Sequence, residues 1–421
     1  MLKKANLALA RRYPGDASGR QPVHTFVGGG DVFRADAAQR AGAEAIATLD
    51  KFASSPKAFA TIIGLPSDVP GLAETVHARV VAKLLREPIE DYRIDFEDGY
   101  GSRPDAEEDG HARSAAIEVA AGMTAGTLPP FIGVRIKPWS RELQARSLRT
   151  LDIFVTTLIK AAKRLPANFA VTATKVMTPA HVTELARTCS TLERKLRLKR
   201  NTIQLELMIE TPQAILAPDG SVALPGLVQA GRGRVRGAHF GVYDYTALCG
   251  ITAAWQHPRH LACDVARELM RIALAQTGVM LSDGGSNLLP IPPHVPAAWK
   301  RHYDDVTHSL VNGYYQGWDL HPGHLPTRYA AVYAFYLAAL PSATARLSHF
   351  FTKAAKAGAA FDDAATGQAL VNFFNRALSS GAITLEEAMR TGLTESELGG
   401  LSFRKILANR QVGVRPRLTP T

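Results

Sequence analysis

Residues 94–101 read IDFEDGYG: two apolar residues, Ile94 and Phe96, alternating with acids, and then two acids in succession running into glycine. Alternation at a period of two is the mark of a strand. A strand that buries Ile94 and Phe96 has no reason of its own to place Glu97 and Asp98 together at its end, unless positive charge meets them there. The stretch belongs to a rhythm repeated along the chain: a short β-type run, a turn, then a helical stretch. The runs are VHTFVG (23–28), YRIDFE (92–97), FIGVRI (131–136), FAVTATKVM (169–177), IQLELMI (203–209), VRGAHFG (235–241), TGVMLS (277–282) and GWDLHP (317–322). Several are almost continuously apolar, as strands buried on both faces are. The seventh and eighth are the weakest.

Helical patterns lie between them. Residues 71–85 carry apolar positions at helical spacing, residues 179–196 open on Pro179, a favoured first-turn residue, and residues 258–278 end on Gly278 as a C-terminal cap. Eight such alternations predict a (β/α)8 TIM barrel. A helical segment at 36–63, within an insertion spanning about 36–90, follows the first strand. Residues 328–340 form the eighth helix, so the barrel domain takes residues 1–340. Residues 341–421 form a helical extension that includes 362–381 and 384–392, with Thr384 as a cap and GVRPRLTPT as a disordered tail.

The 421 residues are 46% hydrophobic and 21% charged, ordinary for a chain with a sizeable core, and no apolar run approaches a membrane span. The N-terminus, MLKKANLALARRYPG, reads as an amphipathic helix and not as a signal peptide. Three cysteines give neither a disulfide framework nor zinc spacing, which fits a cytoplasmic protein. The net charge of +11 raises the question of nucleic acid. Its two clusters, ERKLRLKRN (193–201) and GRGRVRG (231–237), lack interleaved aromatics, so a solvated helix face and a surface loop are expected, with no nucleic-acid or membrane partner.

In a barrel of this kind the C-terminal ends of the strands form one rim, where the chemistry takes place. Charged residues fall there repeatedly: Glu97 and Asp98 after strand two, Arg135 in strand three, Lys175 in strand four, Glu210 after strand five, Asp244 after strand six, Asp319 and His321 at strand eight. Each has a plainer alternative. The acids can form a solvated turn or cap a helix, Arg135 and Lys175 can pair with them structurally, and His321 can be a core histidine. Their shared location favours a functional site. Glu210 and Asp244 offer two hard oxygen ligands suited to Mg2+ or Mn2+, with positions left for water and substrate. Such an ion polarises a carbonyl. Arg135 suits a carboxylate or a developing oxyanion. Together these suit carbon–carbon cleavage or formation through an enolate, with each preorganised charge contributing roughly 3–4 kcal/mol. Glu97 and Asp98 are expected to face opposite ways, one of them orienting Arg135 or a metal-bound water. His321, Asp319 and a metal-bound water assisted by Glu97 are the candidates for the general base. Gly29 and Gly30 in VGGGD, with Thr211 beside Glu210, are candidates for touching the substrate.

The segments VHTFVGGGD, IDFEDG, VRIKP, TKVMTP, MIETPQAI, FGVYDYTALCG and GWDLHP, in this order across residues 23–326, resemble the HpcH/HpaI aldolase and citrate lyase beta-subunit-like superfamily. The resemblance implies a TIM barrel, Mg2+ held by the matching Glu210 and Asp244, substrate contact by Arg135, and a homo-oligomer acting on a small carboxylate or an acyl-CoA, coenzyme A then being part of the substrate. The glycine triplet at 28–30, KPW at 137–139 and Trp318-Asp319 depart from the citrate lyase-like pattern. VRIKPW and GW.LHP lean toward malate synthase and malyl-CoA lyase, and so toward acyl transfer as an alternative. A non-catalytic binding protein on the same scaffold is the other alternative.

Overall fold

The computed structural model of the protein describes residues 2–16, 19–357, 364–398 and 400–413. The expected tail from residue 414 onward lies outside them. The strands are β1 (His24–Gly29), β2 (Asp91–Asp95), β3 (Phe131–Ile136), β4 (Phe169–Ala173), β5 (Gln204–Ile209), β6 (Val235–Phe240), β7 (Met280–Ser282) and β8 (Gly317–Asp319). All are parallel, in the order β7-β6-β5-β4-β3-β2-β1-β8. The sheet curls so that its two three-residue edge strands meet, where the Asp283 amide donates to the Gln316 carbonyl at 2.8 Å. This is the (β/α)8 barrel, nearly closed, and its weak seam falls at the two strands with the weakest sequence signal.

Helix α1 (Leu2–Arg12) precedes the barrel. The insertion after β1 folds as α2 (Ala37–Phe52) and α3 (Pro56–Ile63), followed by α4 (Leu72–Arg86). The break between α2 and α3 has a local cause: Ser55 accepts from the Ala58 amide and Pro56 starts a new helix. The ring continues with α5 (Asp105–Ala125), α6 (Gln144–Ala162), α7 (Pro179–Lys195), α8 (Pro212–Ile215), α9 (Leu224–Ala230), α10 (Val242–Leu248), α11 (Leu261–Leu274), α12 (Val295–Val311) and α13 (Leu325–Ala357). Helix α11 stops four residues short of Gly278, and the chain turns through Gln276 and Gly278, both at positive φ. Helix α13 runs unbroken across residue 340 with Pro341 inside it. Beyond it lie α14 (Ala364–Ser380), α15 (Leu385–Met389), α16 (Glu395–Leu398) and α17 (Phe403–Gly413). Thr384 caps α15 in a reciprocal box with Glu387. No helix among the described residues is long and apolar enough to cross a membrane.

The barrel interior is ionic where branched aliphatic layers are usual. Fully buried Arg93 reaches Asp91 at 2.7 Å, Thr172 at 2.9 Å and Glu206. Glu206 also accepts from Arg236 at 2.9 Å and from His239 at 3.1 Å. The Trp318 indole donates to the other ring nitrogen of His239 at 2.8 Å. Gly133 leaves room for this network, because a Cβ there would lie 2.1 Å from the Ala170 carbonyl oxygen and 2.9 Å from Arg93.

The basic clusters are not wholly solvated. Arg234 is 1% exposed and forms a two-pronged pair with Glu193 at 2.6 and 2.7 Å. One residue from each cluster thus joins α7 to the start of β6. Adding their charges along the sequence missed this, because opposite charges from distant segments cancel in pairs.

Candidate active site

Strand β2 ends one residue after Ile94, and that ending shapes the rim. Asp91, Arg93 and Asp95 point into the barrel, while Tyr92 and Ile94 join the apolar layer under the helices. The chain then bends. One carboxylate oxygen of Asp95 accepts from the Glu97 amide at 2.9 Å and the other from the Gly99 amide at 2.8 Å. Gly101, at φ +79, completes the turn. Lys137, the residue after β3, clamps it, donating to the Phe96 carbonyl at 2.6 Å and pairing with Glu108 at 2.9 Å.

Because Glu97 and Asp98 lie in this turn and not in the strand, they do not alternate. Both face the same two cations, which corrects the expectation that they point apart. Arg135 Nη2 lies 2.6 Å from Glu97 and 3.0 Å from Asp98, and Nη1 lies 3.4 Å from Asp95. The Arg135 guanidinium also lies over the Trp318 ring, 5.4 Å from its centre. Lys175 Nζ lies 2.6 Å from Glu97, 3.1 Å from Asp98 and 3.3 Å from Asp244. The Lys175 amide donates to Glu210 at 2.6 Å. Lys175 adopts φ +47, a left-handed conformation unusual for a residue with a side chain. One residue in a costly backbone state therefore touches four acids.

Five carboxyl groups (Asp95, Glu97, Asp98, Glu210, Asp244) thus converge on two cations, and burial shifts the protonation of two of them, Glu97 and Glu210. Burial pushes the Glu210 carboxyl up to about 8, with Asp244 adding to the effect against the pull of Arg135 and Lys175. Burial likewise pushes Glu97 up to about 7, against Arg135 and Lys175. Burial also opposes the charge on Asp98, but hydrogen bonding with Glu97 and the two cations hold it below its usual range. Burial alone would lower Lys175, yet Glu210, Glu97 and Asp98 raise it above the ordinary lysine value. A lysine held this firmly protonated is a poor amine nucleophile. The Glu210 side chain is walled in, at 1% exposure, whereas Asp98 and Asp244 open to solvent at 56% and 36%. The donors suit a divalent cation: hard oxygens from neighbouring strands, in a place that carries too little positive charge.

Three expected residues do not join this group. Trp318 points into the barrel, so its neighbour Asp319 points out to the helix layer. There it is fully buried against Arg328 at 2.8 Å, His24 at 3.0 Å and His302 at 3.0 Å. His321 caps the short turn that follows, accepting from the Gly323 amide at 3.0 Å, and its other nitrogen faces Glu44 at 3.8 Å. The Thr211 hydroxyl is already used, donating to the Val176 carbonyl at 2.9 Å and accepting from the Ala214 amide at 3.2 Å. Gly29 and Gly30 do end β1 at the rim, but neighbours crowd them: a Cβ would lie 2.4 Å from Asp31 and 2.5 Å from the Phe96 ring, respectively.

Among the described residues, one trio of side chains lies close enough to share an ion: His302, Asp319 and His324. The two imidazoles stack at 4.4 Å, so their lone pairs cannot converge, and Arg328 already neutralises Asp319. This is a hydrogen-bonded brace between β8, α12 and α13. The residues that sequence reasoning missed are Asp95, Lys137 and Trp318. Asp95 was the most accessible of these, having the same parity as Arg93 on an alternating strand.

The sequence pattern of a family described as "Domain of unknown function (DUF6986)" matches residues 2–406. The chain belongs to that family. No curated protein matches it. Among solved structures, the DUF6986 chain is similar to a citrate lyase from Burkholderia xenovorans, with 18% identity and a TM-score of 0.54 over 75% of this chain and 92% of that one. It is also similar to malate synthase from Haloferax volcanii, with 14% identity and a TM-score of 0.50, in a structure determined with glyoxylate (90% of this chain, 100% of that one) and in a magnesium/glyoxylate complex (87% and 97%). The DUF6986 chain therefore shares the barrel fold of these citrate lyase and malate synthase structures.

Proposed function

We propose that this protein is a divalent-metal-dependent carbon–carbon lyase or aldolase, making or breaking a bond beside a carbonyl in a 2-oxo or hydroxy acid or its coenzyme A thioester through an enolate. The observation that carries this reading is the rim itself: five acids around Arg135 and Lys175, with Glu210 held near 8 by burial and Asp244. Glu210 and Asp244 would hold Mg2+ or Mn2+, which when bound supplies a Lewis acid for the carbonyl oxygen. Similarity to a malate synthase solved as a magnesium/glyoxylate complex is consistent with this choice.

The chain's own residues do the rest. Asp95 and Trp318 fix Arg135 from below and from the side, so its fork is ready when a substrate carboxylate competes for it with Glu97 and Asp98. Glu97, with a carboxyl near neutrality, is placed to take or return a proton at the substrate. Of the three candidates for the base, only the water assisted by Glu97 has its protein residue in the cluster. Acyl transfer from an acetyl-type thioester onto a 2-oxo acid would use the same residues in the bond-forming direction.

The test is a scan of 2-hydroxy, 3-hydroxy and 2-oxo acids, with and without coenzyme A, with products identified by mass, in Mg2+ and in chelator. Turnover that needs the metal and is lost in Asp244→Asn is the expected result. Turnover indifferent to chelator, or saturable binding of an acidic partner with no turnover of any substrate, would end the proposal.

A further inference from the structure

Lys175 occupies an unusual position for a residue beside a cation site. Its ammonium lies between Glu97, Asp98 and Asp244, at 2.6, 3.1 and 3.3 Å, while its amide holds Glu210 at 2.6 Å. These contacts include both proposed metal ligands. The side chain is 28% exposed, so it has room to swing outward, and its left-handed backbone directs it across the acids. Resting on the metal reading given above, we propose that Lys175 is a tethered counter-ion: it fills the cation site in the metal-free protein, holds the acids together, and is displaced toward solvent when a divalent ion enters.

The physical reason is charge. With no cation between them, acids this close repel one another, and the rim would open or take up protons. One ammonium offsets only part of the surplus, so a divalent ion with shorter bonds to the same oxygens wins at sufficient concentration. Two positive centres within a few ångströms also repel each other, so the ammonium leaves as the ion arrives. A tethered competitor weakens the apparent affinity for metal in return for a site that keeps its shape without one.

The test uses the full chain and Mg2+ as the probe. Calorimetry compares wild type, Lys175→Met and Asp244→Asn. With the competitor gone, Lys175→Met should bind Mg2+ about tenfold tighter or more, and Asp244→Asn should lose binding. Reductive methylation of wild type, read by mass spectrometry on the peptide containing Lys175, should increase when Mg2+ is added, because the displaced amine becomes accessible. Should Lys175→Met fail to fold, this labelling decides alone. Unchanged or weaker affinity in Lys175→Met, or labelling that stays level or falls with Mg2+ while Asp244→Asn abolishes binding, overturns the inference and leaves the metal reading standing. If neither wild type nor Lys175→Met binds Mg2+, the metal reading itself is wrong and the inference falls with it.

Discussion

Glu210→Gln should make the metal-free protein more stable while removing its response to metal. Glu210 is buried at 1% exposure, and burial with Asp244 lifts its carboxyl from 4.5 to about 8 against Arg135 and Lys175. A glutamine has nearly the same shape and still presents an oxygen to the Lys175 amide, now 2.6 Å from Glu210. It resembles the protonated acid and never has to carry a buried charge. The sign follows from the raised value. Below about 4.5 the carboxyl is protonated in both folded and unfolded chains, and the substitution changes little. As pH rises toward 8 the unfolded chain ionises freely while the folded one resists, so wild type loses stability that the variant keeps. At about 1.4 kcal/mol for each pH unit between the two values, the ceiling is about 5 kcal/mol. Movement of Asp244 and Lys175 lowers this, and a gain of about 2–4 kcal/mol at pH 9 is expected. Urea unfolding followed by circular dichroism, in chelator, at pH 5 and pH 9 measures it. Mg2+ should stabilise wild type and leave the variant unaffected. A variant less stable than wild type at pH 9 in chelator, or an equal difference at both pH values, would refute the reasoning.

Asp319→Asn leaves the buried Arg328 without its charged partner and should cost about 3–5 kcal/mol of stability, with turnover per folded molecule unchanged; a large loss of turnover at unchanged stability would put Asp319 back among the reacting groups. Gly30→Ala places a methyl 2.5 Å from the Phe96 ring, so denaturant unfolding should show a loss of about 1–3 kcal/mol and Mg2+ affinity should fall as the turn at 96–101 shifts; a neutral substitution would show that Phe96 yields freely.

Much of the fold was legible because its cause is local. FIGVRI coincides with β3 residue for residue, since four β-favouring residues in six (Phe131, Ile132, Val134 and Ile136), bounded by proline on both sides, leave little alternative. Thr384 starts α15 through a hydrogen bond that spans three residues, whereas the break that Ser55 and Pro56 put into the inserted segment, equally local in cause, was read as continuous helix. Where the cause was distant, the reading slipped. Gly278 has the right identity for a cap but lies beyond the end of α11. The arginines of residues 231–237 gave no sign that one of them would be buried against Glu193.

The same division holds at the rim. Local pattern alone placed Arg135, Lys175, Glu210 and Asp244 at strand ends, because apolar runs and the turns after them mark where strands stop. Which of those groups meet was decided only by the closed barrel. It sends Trp318 inward and so Asp319 outward, ends β2 early enough that Glu97 and Asp98 share a turn, and carries Lys175 across to acids from β2, β5 and β6. Side-chain direction reverses with a single residue of strand, and separations of a few ångströms between segments far apart in sequence are set by how the sheet curls. Neither quantity is written in any local stretch of the chain.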